Sequence, residues 1–536
     1  MKRILGLIAA LAVGVAIAIF GGLGGLFTQP IPLSIVAGSE NKALEPLMME
    51  WAHRNDVTLS VSYLGSVEIA RELGKGANGA YDAVWPANSL WIVLGDNAKV
   101  VKHAESILRS PVVLGLRKSI AESLGWIGRQ DITIQMITEA ATQNKFRLAM
   151  TSATQSNSGA SAYIGFLYAL AGSPDVLTME NLNDPAVLDG VRNLLAQVDR
   201  SSGSSGWLKD SLVANPDAYD AMFNYESVIL EADQALTNAS EEPLYIIYPS
   251  NGLSVADSPL AYVSKGDGAK EAAFLKLQDF LLSQETQARL ADLGRRSGLI
   301  GMDASGDTAV WRPEWGADNA RDIAPVPTPA ADVISEALRL YQTELRKPSL
   351  TVWVLDISGS MEGQPIAALK QAMGLLLDSK SAALNLLQPS RRDVTIIVPF
   401  NDRVREPLQI VGSADADLQA AFAKVNALQA AGGTDLYAAL ADAVKLLQPY
   451  ADDGTLFDYL PAIVAMTDGA SDTANLRYFQ TVLSQSHFAK DIPIHAIAFG
   501  AADEDQLKAL TTGSIGRLFQ SGGDLADALR QAKGYN

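Results

Sequence analysis

Short apolar runs of β-type residues alternate with helix-forming stretches along most of this chain, and that alternation restricts it to α/β architecture. In a first block the runs are Leu33 to Val36, Leu59 to Tyr63, Pro111 to Leu116, Phe146 to Met150 and Pro243 to Tyr248. The sequence IAPVPTPA at 323–330 then sets three prolines in eight residues. Such a segment cannot continue a helix and favours an extended connector. Ala331 to Arg346 follows with apolar residues at Val333, Ile334, Ala337, Leu338 and Tyr341, the spacing of an amphipathic helix that packs on a neighbouring domain. A second block starts near Leu350, with strands expected at Thr351 to Leu355, Val394 to Phe400, Ala462 to Met466 and Ile494 to Phe499. Strands separated by helices imply a mainly parallel, doubly wound sheet whose sites lie at the carboxyl ends of its strands. The expected organisation is therefore a first α/β domain over 31–323, a Pro-rich linker and helix over 324–349, and a Rossmann-like domain over 350–536.

Before the first block, Ile4 to Phe27 carries no charge, and as a helix it would span roughly 36 Å, enough to cross a bilayer. Lys2 and Arg3 precede the run and Glu40 and Glu45 come after it. The expectation is a single-pass signal anchor over 4–27 in the cell membrane, with its N-terminus cytoplasmic and both domains extracytoplasmic. A cleaved signal peptide is the competing reading, since Gly22-Leu23-Gly24 offers a small-x-small site. Both readings export the rest of the chain. With 42 Lys plus Arg against 60 Asp plus Glu, the net charge of -18 repels phosphate backbones, so nucleic acid is excluded as a partner. The absence of cysteine removes disulfides, thiol nucleophiles and Cys zinc sites.

The strongest chemical signal closes the first strand of the second block, where TVWVLDISGSME places Asp356, Ser358 and Ser360 after an apolar run. Gly432-Gly433-Thr434-Asp435 precedes another helix, and Thr467-Asp468-Gly469 closes another strand. Hydroxyls and carboxylates without sulfur or imidazole suit hard cations, Mg²⁺ above all, or Mn²⁺ or Ca²⁺. The alternative is that these residues serve only as turns and strand-end caps. On these three motifs, residues 350–536 resemble a von Willebrand factor type A domain with a metal-ion-dependent adhesion site. The resemblance implies a divalent ion bound through Ser358, Ser360 and Thr434 with Asp356 and Asp468. It also implies a coordination position left for an acidic side chain of a protein partner.

In the first block several strands end in small polar segments leading into helices: Gly38-Ser39-Glu40, Gly65-Ser66, Ala87-Asn88-Ser89 and Ser156-Asn157-Ser158-Gly159. Such ends either cap their helices or hold a polar ligand through backbone NH groups. With TSATQSNSGASAYIGFLYALAG from Thr151, FNYES from Phe223 and YPSNGLSVADSPLAYV from Tyr248, the block resembles the type 2 periplasmic solute-binding proteins. That resemblance implies two lobes closing on a small polar solute, with Ser39, Ser66, Ser158 and Tyr225 as contacts. Glu40 beside the first loop, and the lack of Arg in the four loops, disfavour a bare oxyanion. A sugar, an amine, or no small molecule remain open.

His53, His103, His487 and His495 form no H-E-x-x-H motif, and neither a nucleophile elbow nor a phosphate loop is present. His495 reads as a core residue, and Trp85, Trp91 and Trp126 as core before ligand stacking. The sequence thus describes a binding protein rather than an enzyme. Its expected role is to capture a solute and engage a protein partner through a metal site. The alternatives are an accessory solute-binding component of a transporter, or an adhesion or scaffold protein whose first domain binds no ligand.

Overall fold

The computed structural model describes residues 30–297, 309–321, 323–500, 502–521 and 525–534. The expected membrane span at 4–27 lies outside them, and no helix among the described residues is long and apolar enough to cross a membrane.

Two sheets build the first domain as two lobes. The first lobe has strands β1 (Ile31–Ala37), β2 (Val57–Tyr63), β3 (Ala83–Trp85) and β4 (Val101–Ser106), with β11 (Pro259–Val263) returning from later in the chain. Their order is β2-β1-β3-β11-β4. The second lobe has β5 (Leu108–Arg117), β6 (Leu148–Thr151), β7 (Val198–Ser202), β8 (Ala221–Tyr225), β9 (Leu244–Ile247) and β10 (Val255–Ala256). Its main order is β10-β5-β8-β6-β7, and β9 and β12 (Arg296–Ser297) also pair with β5. The chain crosses between lobes after β4, after β10 and again before β12, and the first two crossings lie side by side, with Ile107 NH donating to the Ser258 carbonyl at 3.2 Å. The Trp85 indole donates to that same carbonyl at 3.1 Å, so this tryptophan is part of the hinge core.

The connector packs on the second lobe. Helix Ala331–Leu340 continues as a wider π turn, Tyr341–Leu345, and its apolar face joins the cluster containing Ile164, Leu167 and Val191. The buried Tyr163 hydroxyl donates to the Ala337 carbonyl at 2.8 Å, and its ring meets Tyr341 edge-on at 5.2 Å.

The second domain has one six-stranded sheet formed by β13 (Ser349–Asp356), β14 (Val394–Phe400), β15 (Leu408–Val411), β16 (Leu460–Thr467), β17 (Ile494–Ala498) and β18 (Leu518–Gln520). The order is β15-β14-β13-β16-β17-β18, parallel except at the β15 edge. Every residue of β13 is buried. Val352 and Val354 enter one helix-covered cluster, Trp353 and Leu355 the other. This two-sided burial explains why the strand reads as a continuous apolar run.

One buried carboxylate joins connector and sheet. Both oxygens of Asp393 accept from the Arg346 guanidinium, and Asp393 also accepts from Ser349 NH at 2.8 Å and from Ser390 NH and Oγ at 2.9 Å. Burial alone would push this carboxyl up; the charges of Arg346 and Lys533, with these hydrogen bonds, overcome that and hold it at about 2. Asp393→Ala strands Arg346, and unfolding in urea is expected to show a loss of about 3 to 5 kcal/mol. Because the folded value lies below the ordinary 3.8, the carboxylate's contribution is complete above that range and lost as pH falls through 3.8 toward 2. An Asp393→Ala variant as stable as the wild type at neutral pH would contradict this role.

Candidate functional site

The carboxyl ends of β13 and β16 lie side by side, because the two strands pair in parallel from Ser349↔Leu460 to Leu355↔Met466. Their last residues therefore share one edge. Ser358 NH donates to Asp356 Oδ1 at 2.8 Å, and Thr467 Oγ1 donates to Asp356 Oδ2 at 2.6 Å. Ser358 Oγ lies 3.1 Å from Ser360 Oγ, which donates to Asp468 Oδ1 at 2.8 Å. The structure thus brings Asp356, Ser358, Ser360 and Asp468 into one hydrogen-bonded group.

Thr434 arrives on the adjoining loop, tied to the first by Gly359 NH donating to the Gly432 carbonyl at 2.9 Å. Gly432 has φ +86°, and a Cβ there would stand 2.9 Å from Asn401 Nδ2 and Asp402 Oδ1. A side chain at 432 would be strained at that φ and would crowd Asn401 and Asp402 on the loop that follows β14. The Thr434 carbonyl accepts from Asp472 NH at 3.0 Å and Ser471 Oγ at 3.3 Å, while Asp435 caps helix Leu436–Asp452 through Ala438 NH.

Burial, followed by the neighbouring Asp468 charge, pushes the Asp356 carboxyl up against the opposing hydrogen bonds of Ser358 and Thr467. Two buried carboxylates side by side, supported mainly by hydroxyls, are what a cation would neutralise. Among the described residues no three His, Cys, Asp or Glu side chains gather as a metal group. Any ion here would rely on the hydroxyls and on water to complete its shell. Thr467 was not singled out from sequence, although it belongs to the Thr-Asp-Gly segment that was; its hydroxyl holds Asp356 in place.

The four residues expected to contact a solute are not gathered around one space. Ser39 Oγ accepts from Ser204 Oγ at 3.0 Å and Gly206 NH at 3.2 Å. Ser66 is buried and accepts from Ala87 NH at 3.1 Å. Ser158, fully buried, lies 2.7 Å from both Thr151 Oγ1 and Ser205 Oγ. The Tyr225 hydroxyl accepts from Asn157 Nδ2 at 3.0 Å, and Asn157 Oδ1 in turn accepts from the Trp91 indole at 2.6 Å. Burial, then the charge of Glu40, raises the Tyr225 hydroxyl well above its ordinary value. Of these contacts, Ser39 with Ser204 and Gly206, and Trp91 with Asn157, join one lobe to the other; the rest lie within a single lobe. At Gly65 a Cβ would stand 2.2 Å from the Gln155 carbonyl oxygen across the cleft.

Beside this seam lies a cavity of about 450 Å³ whose wall includes Ser39, Lys42 and Glu68 of the first lobe and Trp207, Lys209 and Glu231 of the second. Of the four expected contacts, only Ser39 lines it. Lys209 pairs with Glu231 at 3.0 Å and Asp210 at 3.2 Å, and Glu68 with Arg71 at 2.6 Å. The carboxyl of Glu40 is buried, which pushes it up to about 7. Trp91 and Trp126 are buried in the core cluster of the second lobe, and the buried His495 accepts from Arg517 NH through Nδ1 at 3.0 Å.

Fold and sites together define a two-lobed α/β binding domain followed by a doubly wound domain with an oxygen-rich loop cluster. Residues 33–296 match the family model described as bacterial extracellular solute-binding protein, and residues 351–518 match that of the von Willebrand factor type A domain. The chain joins a solute-binding-protein domain to a von Willebrand factor type A domain. Among solved structures it is similar to the ferric binding protein of Campylobacter jejuni, at 14% identity and a TM-score of 0.42, covering 58% of this chain and 98% of that one. The sulfate-binding protein SubI of Mycobacterium tuberculosis H37Rv is 18% identical with a TM-score of 0.39, covering 50% of this chain and 87% of that one. A von Willebrand factor type A structure from Catenulispora acidiphila is 18% identical with a TM-score of 0.29 over 36% of this chain. This chain spans only 43% of that structure's length. No curated protein matches the chain.

Thr467→Val removes one of the donors to buried Asp356. The second domain is expected to lose about 1 to 3 kcal/mol in chemical denaturation while keeping its fold. Stability equal to wild type would show that this bond does not hold the site.

Proposed function

We propose that this protein is a membrane-anchored extracytoplasmic binding protein. Its first domain captures a small polar solute, and its second engages an acidic group of a protein partner through a divalent ion. The ion is Mg²⁺, with Mn²⁺ or Ca²⁺ as substitutes, held by Ser358, Ser360 and Thr434 with Asp356 and Asp468. The carrying observation is the row of oxygens from Ser358 through Ser360 to Asp468, spaced 3.1 and 2.8 Å. Neighbouring oxygens around an octahedral ion with bonds of 2.0 to 2.1 Å lie about 3 Å apart, and both spacings in this row match that. When bound, the ion supplies an electrophilic position for a partner carboxylate. The chain's own residues prepare for that. Thr467 and Ser358 NH hold Asp356 at the strand end, and Ser360 aims Asp468 into the same group.

The domain families present are binding modules, and this reading assigns the chain no reaction. Membrane anchoring rests on the uncharged run from Ile4 to Phe27 behind Lys2 and Arg3. The reading without a solute has one observation in its favour, the mutual satisfaction of Ser156, Ser158 and Ser205.

Titration calorimetry of the protein with MgCl₂ tests the metal. Uptake is expected at millimolar concentration or below, absent in Asp356→Ala/Ser358→Ala and weakened in Thr434→Ala, which removes only a neutral oxygen. No uptake by wild type, or equal uptake by the double variant, would refute the site.

A further inference from the structure

The cavity between the lobes has a third wall. Besides residues of both lobes, it is lined by Arg517 and Gln531 of the type A domain. Gln531 stands on helix Leu525–Lys533, and Arg517 just before β18. This helix is seated against both lobes. The Gln155 side chain donates to the Arg530 carbonyl at 2.7 Å, and Arg530 Nε lies 3.9 Å from Glu68. Trp207, a cavity residue of the second lobe, packs into the apolar cluster that contains Leu525, Ala528, Leu529 and Ala532 of the helix. Arg71 of the first lobe donates to the Asn385 carbonyl of the type A domain.

The charges around this space favour an anion. Lys42, Lys209 and Arg517 line it, and Arg71, Arg295 and Arg530 stand behind its carboxylates. Glu68 is held by Arg71, Glu231 by Arg295 and Lys209, and Asp210 by Lys209. These three carboxylates are therefore already compensated, whereas Lys42 has no carboxylate within ion-pair distance among the described residues. The Arg517 guanidinium sits 5.1 Å from the centre of the Phe519 ring, a cation–π contact. The sequence of the first domain lacked an arginine in its loops; the type A domain supplies one. At about 450 Å³ the space falls in the range of organic ligands and exceeds what a bare tetrahedral oxyanion fills. Trp207 gives it an aromatic face.

We infer that the cleft is a composite site of three bodies, in which Arg517 and Gln531 of the type A domain complete the wall around a small organic anion bearing a carboxylate or phosphate. This inference rests on the solute-capture reading above. A ligand touching both lobes and the type A domain favours the docked arrangement, and docking favours the ligand by the same factor.

The test is calorimetry on the full chain. The probes are sugar phosphates, aldonic and uronic acids, and di- and tricarboxylates, each beside its uncharged counterpart, with inorganic phosphate and sulfate for comparison. An organic anion is expected to bind while its neutral counterpart does not. Arg517→Ala should raise its Kd about 10- to 100-fold, the range for a charge-assisted hydrogen bond. Arg517→Lys should recover part of the loss, and Gln531→Ala should show a smaller one. The thermal midpoints of the ligand-free variants establish that they fold. A binder whose Kd ignores both Arg517 and Gln531, or preference for a neutral sugar or a bare oxyanion, overturns the composite site and leaves solute capture standing. A panel in which nothing binds overturns both.

Discussion

A single buried carboxylate, Asp393, holds this architecture in register. Its donors come from the end of the connector at Arg346, from the first residue of the central strand at Ser349, and from Ser390. Lys533, on the helix that walls the cleft, donates to Ser349 Oγ at 3.1 Å beside them. Burial pulls the Lys533 ammonium down to about 8 despite the Asp393 charge. A charge in such a place is tolerated only when paired and hydrogen-bonded. The strand whose start is anchored here ends at Asp356, and the helix anchored here carries Gln531 into the cavity wall. Both candidate sites are thus tied through these elements to one ionic clasp.

The loop cluster was legible in the sequence because its chemistry follows directly on its strands. Once β13 and β16 pair in parallel, Asp356, Ser358, Ser360 and Asp468 have little choice but to meet. Nine strands among the described residues have no counterpart in the apolar runs named from the sequence, among them β4, whose sequence VKHAES is largely exposed and polar, and β8, which is fully buried but interrupted by Asn224. The amide of Asn224 turns inward to donate to the Ser205 carbonyl at 3.0 Å, a tertiary bond that no periodicity announces. The cavity wall was not legible, because Glu68 and Arg530, or Trp207 and Leu529, are brought together only by domain packing. The serine-rich loops were visible as polar, but neither of the two roles considered for them describes Ser156. Its side chain makes no cap bond to its helix and meets Ser158 and Ser205 instead.

The same hydroxyl chemistry leads to opposite demands in the two domains. Inside the second lobe, Thr151, Ser158, Ser205 and Ser156 bond to one another. Each hydroxyl can donate and accept, so a neutral chain of them can be satisfied without any ligand. At the ends of β13 and β16 the hydroxyls of Ser360 and Thr467 donate to carboxylates. Those bonds satisfy geometry, yet burial first, and then the charge of Asp468, still raises the Asp356 carboxyl. Hydroxyls can orient such a pair; only a cation or a proton can neutralise it. By this argument the inner serines of the first domain are structural glue, the charged cavity beside them is the place left for the proposed solute, and the electrostatic demand of the second domain lies in its oxygen row.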